Sequence, residues 1–526
     1  MSLALDPHGA RALAAADAAP GVVAPPGERI PRVFQILIVL YVVFTGEIPL
    51  AVQAAMFGLT GGGEEAFTVA VLLAVLVDIT RMAPIFVLAR HPLGILHPLI
   101  IAVALWPLLV RMPTTIEEFG GLGGLFLGAP VSPPFFHGLG WRPGYQVWWA
   151  TAVYNAMQIL WLLSAYVGFS LTTRAPRMHG GPRLEFASGS LRRLLIILIV
   201  VSLTALFVLL SLRGGLASHL ADLSRGRFRS LAGLGPLITL VDLGTISLVL
   251  WVAARPRDAK TPIFLAALAI VSAAQFISNG SRSATFLLFM LVGLAWALRT
   301  RRVPWRVAAM MAPLIFTSLG FLSIVRMSGL TGQTATEAIA TADASSVLTR
   351  VQDELQLRQS MHAPVPVIEA GHRVTDGPLM GQTYLAAILA FVPRSIWEDK
   401  PRGPGSIYAQ NFLGELREGT AVPIGPIAEA HWNFGILGVI LLAMIYGLLI
   451  RKAHDVYMAN QDSPFVLCFF VLFVTTFRLS TDDLVLVEQQ LTLLAGVYLI
   501  ARLALRRVDV AAEPAKALAK TPSPAA

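Results

Sequence analysis

The residues best able to do chemistry fall in one stretch, 391–438, which reads FVPRSIWEDKPRGPGSIYAQNFLGELREGTAVPIGPIAEAHWNFGILG. It carries Arg394, Lys400 and Arg402 among prolines and glycines, then Glu429 and His431 at the start of an apolar run. Arginine presents planar, paired donors that match phosphate oxygens, and lysine adds a point charge. A carboxylate or an imidazole in reach of a hydroxyl can act as its general base. Arg282, Arg326 and Arg478 stand at the ends of other apolar runs. Charges at a membrane border are costly, so each is a candidate site residue, although any one can also snorkel to headgroups. Together they suit a diphosphate joined to a lipid. Trp397, Trp432 and Tyr408 are placed to stack on sugar rings or to form an interfacial aromatic belt.

The elements that must position these groups are membrane helices. The chain has 526 residues, 56% of them hydrophobic and only 13% charged, which excludes an ordinary soluble domain. The reading is an all-α polytopic membrane protein with about twelve spans and one large outer loop holding amphipathic or re-entrant helices. Residues 1–32 read as a disordered cytoplasmic tail without a signal-peptide core. Spans one to nine occupy 33–325, near 33–56, 66–89, 93–110, 146–170, 194–212, 234–254, 262–277, 283–298 and 307–325. Residues 326–425 are the large outer loop, and 426–505 hold the last spans, near 427–450, 464–479 and 484–505. Residues 506–526 form a second cytoplasmic tail. Within the second span, Asp78 and Arg81 are three apart and should pair. In the large loop, 336–360 has near-helical apolar spacing, and 383–392 is too short to span and reads as a re-entrant helix.

The formal net charge is +9, and basic residues concentrate in the segments that an inside placement of both termini assigns to the cytoplasm. Yet the large loop keeps Arg326, Arg350, Arg358, Arg373, Arg394, Lys400, Arg402 and Arg417. Positive-inside topology does not ask for these, whereas an anionic ligand on the outer face does. A single cysteine, Cys468, allows neither an internal disulfide nor a thiolate metal cluster. No P-loop, HExxH, CxxC or GxSxG motif is present, and Asp482–Asp483 reads as a helix cap. The expectation is therefore no metal, no cofactor and no nucleic acid.

The run PRSIWEDKP from Pro393, followed by AEAHWNFGILG, resembles bacterial oligosaccharide repeat-unit polymerases of the Wzy, or O-antigen polymerase, type. The SNGSR turn at 278–282 is similar to a G-S-R step in the same family. The resemblance implies a metal-independent glycosyltransferase in the bacterial cytoplasmic membrane with its active site on the outer face. Its donor is a glycan on undecaprenyl diphosphate, and its acceptor is the next lipid-linked repeat. A flippase and a chain-length regulator are implied partners, beside membrane lipids. The product is a surface polysaccharide such as O-antigen, capsule or exopolysaccharide. It also implies catalytic roles for Arg394, Arg402, Arg282, Glu429 and His431, and substrate contacts from Lys400, Arg326, Arg478, Trp397 and Tyr408. Competing readings are an O-antigen ligase, another lipid-linked-sugar transferase with its base at Glu64 or Glu65, and a flippase-type transporter.

Overall fold

The computed structural model describes residues 30–43, 64–105, 145–171, 184–186, 188–216, 218–219, 222, 233–279, 282–303, 364–412 (without 391, 393–395 and 398), 422–505 and 507–509. The helices are α1 (Arg32–Val42), α2 (Glu64–Val87), α3 (Tyr145–Ser170), α4 (Ser188–Leu212), α5 (Gly235–Ala254), α6 (Pro262–Asn279) and α7 (Arg282–Thr300). They continue as α8 (Pro364–Val374), α9 (Gln382–Ile388), α10 (Pro404–Phe412), α11 (Gly425–Ala459), α12 (Pro464–Thr476) and α13 (Thr481–Ala504). Among the described residues, six helices are long and apolar enough to cross a membrane: α2, α3, α4, α5, α11 and α13. Shorter apolar helices lie at α1, α6, α7 and α12.

The outward faces agree with a lipid environment. Phe207, Leu437 and Leu503 are 71%, 69% and 79% exposed on long apolar helices, a pattern that water would penalise. The chain is a helical membrane protein.

Two groups of helices make the bundle. Helix α5 is mostly apolar, with Asp242 its one charged residue, and is buried along most of its length, as expected of a central helix. Helices α4, α6, α7, α12 and α13 pack around it. The second group is α2, α3 and α11, with α8 laid against α3 and α11. Helices α3 and α11 approach to backbone contact. A Cβ on Gly447 would collide with the Ala165 carbonyl, and one on Gly168 with the Met444 carbonyl. Small residues allow membrane helices to come this close.

Helix directions follow from contacts. Asn155 Nδ2 donates to the Ala70 carbonyl at 3.1 Å and Tyr166 Oη to that of Thr80 at 2.8 Å, so α2 and α3 run parallel. Trp161 lies beside Tyr446 and Phe169 beside His454, so α11 is parallel to both. Arg299 at the end of α7 donates to the Gln461 carbonyl at 3.0 Å, which places that end with the C-terminus of α11. The chain therefore leaves residue 303 at one end of the bundle and returns in α8 at the other, where His372 meets His431.

Several expectations change. The span expected near 93–110 opens as a 3₁₀ turn, Gly94–Leu96, and a π-helical turn, Ile100–Leu105, rather than one regular helix. The span near 464–479 stops at Thr476, because Phe477 turns extended and Leu479 takes φ +58°. The helical reading holds, with one short antiparallel ladder beside the helices, in which Leu184–Phe186 (β1) pairs with Arg507–Asp509 (β2). The second part of the first span, 44–56, the span near 307–325 and the helix expected at 336–360 lie outside the described residues. Asp78 and Arg81 do pair, at 3.9 Å, and Arg81 also donates to the Gln158 side chain.

Candidate functional site

Helix α11 begins with Gly425 in a left-handed conformation and Pro426 in its first turn, a start that proline favours. After Asn433 the helix breaks. Gly435 adopts φ 65° and ψ −157°, a region open in practice only to glycine. Two carbonyls freed there find new donors in the segment before α9. Leu379 N–H donates to the Trp432 carbonyl at 3.0 Å, and Met380 N–H donates to the Asn433 carbonyl at 3.1 Å. Gly381 N–H then donates to Asn433 Oδ1 at 3.0 Å. An irregular backbone at membrane depth is tolerated where protein satisfies it, which is the arrangement here.

Glu429 lies one turn before the break and is 1% exposed. Thr383 Oγ1 donates to its Oε1 at 2.6 Å, and Thr481 donates to the same oxygen through its hydroxyl. The backbone N–H of Thr481 reaches Oε2 at 2.9 Å. That N–H is an orphan of the first turn of α13, so the carboxylate also caps that helix and meets its positive end. Ser480 forms the conventional cap, its Oγ accepting from Asp483 N–H at 3.3 Å, whereas Asp482 and Asp483, expected as the cap, lie within the first turn of the helix. Asn433 Nδ2 ties the set together, donating to Thr383 Oγ1 at 2.8 Å and to the Glu429 carbonyl at 2.9 Å. One carboxylate thus joins α9, α11 and α13.

His431 stands on the other side of α11, stacked on His372 with ring centroids 4.9 Å apart. His372 Nε2 lies 2.9 Å from the His431 carbonyl and 3.2 Å from that of Trp432, so it carries a proton and donates. The Nδ1 of His431 is buried and has no hydrogen-bond partner among the described residues.

The other candidates divide. Lys400 Nζ donates to the carbonyls of Ala390 at 3.1 Å and Val392 at 3.0 Å, so it folds the KP turn back onto the end of the short apolar segment. Arg402 is exposed and donates to Gln410 Oε1 at 2.7 Å. Arg478 is half-buried between α12 and α13, within electrostatic range of Asp483 and Tyr446. Trp397 is exposed, as a sugar platform must be. Tyr408 is not: it is 2% exposed and stacked on Phe412, and burial pushes its hydroxyl pKa up to about 12. Trp432 is likewise buried, packed on Gly371 with its Nε1 donating to Thr375 Oγ1 at 3.1 Å, so it is core rather than belt. Arg394 and Arg326 lie outside the described residues, as does the side chain of Arg282. Glu65, the rival base, is exposed at the start of α2, and the side chain of Glu64 lies outside the described residues.

The sequence reading singled out Glu429 and His431 and did not name the residues that surround them, Thr383, Asn433, Thr481 and His372. Isolated threonines and an asparagine carry no spacing signal. Only the NFG step, with asparagine two residues before a glycine in an apolar run, could have signalled the break in what otherwise reads as an unbroken span.

No family model, no curated protein and no solved structure matches this chain.

Proposed function

We propose that this chain is a glycosyltransferase that polymerises oligosaccharide repeats carried on undecaprenyl diphosphate. The site works at the outer face of the bacterial cytoplasmic membrane. The observation that carries the reading is the meeting of three segments at one end of the bundle. The AEAHWNFG run, the short apolar segment from Gln382 and the KP turn hold one another through Glu429, Asn433 and Lys400. These are largely the segments on which the resemblance rests.

In this reading an acceptor sugar hydroxyl attacks the anomeric carbon of the donor. A new glycosidic bond forms as the bond to the diphosphate oxygen breaks. The leaving lipid diphosphate gathers negative charge, which Arg394, Arg402 and Arg282 stabilise, with Lys400, Arg326 and Arg478 nearby; electrostatic help of this kind is commonly the largest catalytic term. Glu429 already accepts from three donors, so it serves as the group that holds the segments in place. His431 is left to orient the hydroxyl and take its proton. No nucleotide or metal is called for in these steps.

A twelve-span topology with both termini inside supports the sidedness. The parallel run of α2, α3, α7 and α11 agrees with the spans expected near 93–110 and 307–325. Arg192, Arg255, Arg257, Arg299, Arg301 and Arg451 gather toward the other end of the bundle, as a cytoplasmic face requires. The pairing of 184–186 with 507–509 keeps the loop after α3 and the C-terminal tail on one side.

The broken helix also favours a second reading, a lipid-linked-glycan transporter, because discontinuous helices often mark transport sites. The glycan of a deletion strain separates these. Single repeats capping the lipid acceptor, restored to long chains by the gene, support the polymerase. A bare acceptor points to a ligase, and the loss of any exported repeat points to a transporter. Sidedness has its own check. A thiol at exposed Arg373 should react with an impermeant maleimide added outside, and one at exposed Lys452 only after the membrane is opened; buried Cys468 stays silent. The reverse pattern sinks the topology.

A further inference from the structure

At the opposite end of α11 from Glu429 three histidines converge. His91 lies in the turn after α2, His97 follows the Gly94–Leu96 turn, and His454 lies near the end of α11. One ring nitrogen from each falls within 4.8 Å of the other two. His97 and His454 are buried, and His91 is half-buried. Their ring centroids are 4.5 Å (His91–His97), 5.3 Å (His97–His454) and 5.7 Å (His91–His454) apart, with Phe169 closing one side.

Two features go beyond proximity. His454 Nδ1 lies 3.1 Å from Asp455 Oδ1, and Arg451 Nε holds that carboxylate at 3.0 Å from both oxygens. The proton of His454 therefore belongs on Nδ1, and a lone pair on Nε2. That Nε2 is buried and has no hydrogen-bond partner among the described residues. An imidazole oriented by a carboxylate, with its other nitrogen free, is the usual form of a metal-ligating histidine. A buried acceptor left unsatisfied is otherwise a cost with no return.

We infer that His91, His97 and His454 form a binding site for one late first-row divalent ion of the zinc class, on the face of the membrane opposite the proposed transferase site. Three imidazoles and an open fourth position suit tetrahedral Zn²⁺, whose ligand nitrogens stand about 3.3 Å apart when each bond is about 2.05 Å. Rotation of the rings and a small shift of the 91–97 turn bring the three nitrogens to that spacing. The Nδ1 atoms of His91 and His97 accept only long contacts, from Leu93 N–H at 3.2 Å and Leu99 N–H at 3.3 Å. With Nδ1 as ligand, each ring keeps its proton on Nε2 and gives up little. Arg451 and Arg301 stand near His91. The cationic neighbours oppose a divalent ion, and Asp455 offsets them. The bound ion ties the turn after α2 to the end of α11.

The test uses the full chain in detergent, purified without a polyhistidine tag, stripped by chelator and titrated with Co²⁺. One equivalent should bind and give the visible absorption of tetrahedral cobalt, and Zn²⁺ should then displace it. Zn²⁺ should raise the melting temperature of the wild-type protein and not that of His97→Gln or His454→Gln. Asp455→Asn should weaken binding by about 10- to 100-fold, as loss of such an orienting partner does. The inference is overturned if the stripped wild-type protein shows no saturable Co²⁺ binding, or only weak octahedral absorption. It is equally overturned if a folded His97→Gln/His454→Gln protein binds as the wild type does. Polymerase activity is not the readout, so this result and the proposed function stand or fall separately.

Discussion

Glu429 and His454, near opposite ends of α11, are satisfied in opposite ways. Around Glu429 the hydrogen-bonding needs are met: two hydroxyls and a backbone N–H converge on one carboxylate, and the Trp432 and Asn433 carbonyls freed by the break have new donors, although His431 Nδ1 nearby is left without a partner among the described residues. At the His454 end the helix is unbroken, yet an imidazole nitrogen lies buried without a partner among the described residues. The first pattern fixes the shape of a segment. The second leaves a position for something from outside the chain.

The sharpest way to break this comparison is Glu429→Ala. It strands the Thr383 hydroxyl and the Thr481 N–H, each worth about 1–3 kcal/mol, while the Thr481 hydroxyl keeps the Thr383 carbonyl at 3.1 Å, so stability should fall by roughly 2 kcal/mol or more. Thermal unfolding in detergent, followed by tryptophan fluorescence, should show a lower midpoint, with Glu429→Gln in between. An unchanged midpoint in the alanine protein would mean the carboxylate does not hold the segments.

Arg394→Lys sharpens the contrast from the side of function. It keeps the charge but loses the paired donors, so chain elongation should drop nearly as far as in Arg394→Ala. The expected loss is about 2–4 kcal/mol of barrier, about 30- to 1000-fold in rate, with the melting midpoint unmoved. Normal polysaccharide length in that strain, at an equal protein level, removes Arg394 from the site.

A smaller effect is expected at the break. Gly435→Ala forces a side chain into a backbone region that disfavours it, at about 1–3 kcal/mol. A melting curve superimposable on wild type would show that the break is not needed for the fold. The least effect belongs to the other end. In metal-stripped protein His454→Leu removes an unsatisfied acceptor, so stability should stay within about 1 kcal/mol of wild type. A loss as large as that of Glu429→Ala would erase the contrast.

What could be read in advance follows the physics of the signals. Spans are readable because about twenty consecutive apolar residues have few other uses. Helices α2, α3, α4, α5, α11 and α13 accordingly lie close to where the sequence places them. Glu429 and His431 stand out because charge and imidazole are rare at the head of an apolar run. The partners of Glu429 do not stand out: Thr383 and Thr481 look like any membrane threonine until the chain brings them together. The three histidines are the extreme case. His454 is separated by most of the chain from His91 and His97, whose H-x5-H spacing does not by itself point to the third ligand. Tyr408 and Trp432 misled for a related reason, since an aromatic near charges reads as a platform while its burial depends on α10, α8 and α11 packing together.

The collision that any Cβ at Gly447 or Gly168 would cause has a mechanical consequence. Two helices clamped backbone to backbone behave as a single strut, because neither can slide or roll without opening the contact. Above the clamp, α11 is continuous only as far as Gly435, where its hydrogen-bond ladder is cut. Bending is therefore concentrated at one joint, Asn433 to Gly438. Beyond that joint the short arm carrying Glu429 and His431 takes its position from α9 and α13, whereas the long arm carrying His454 stays with α3.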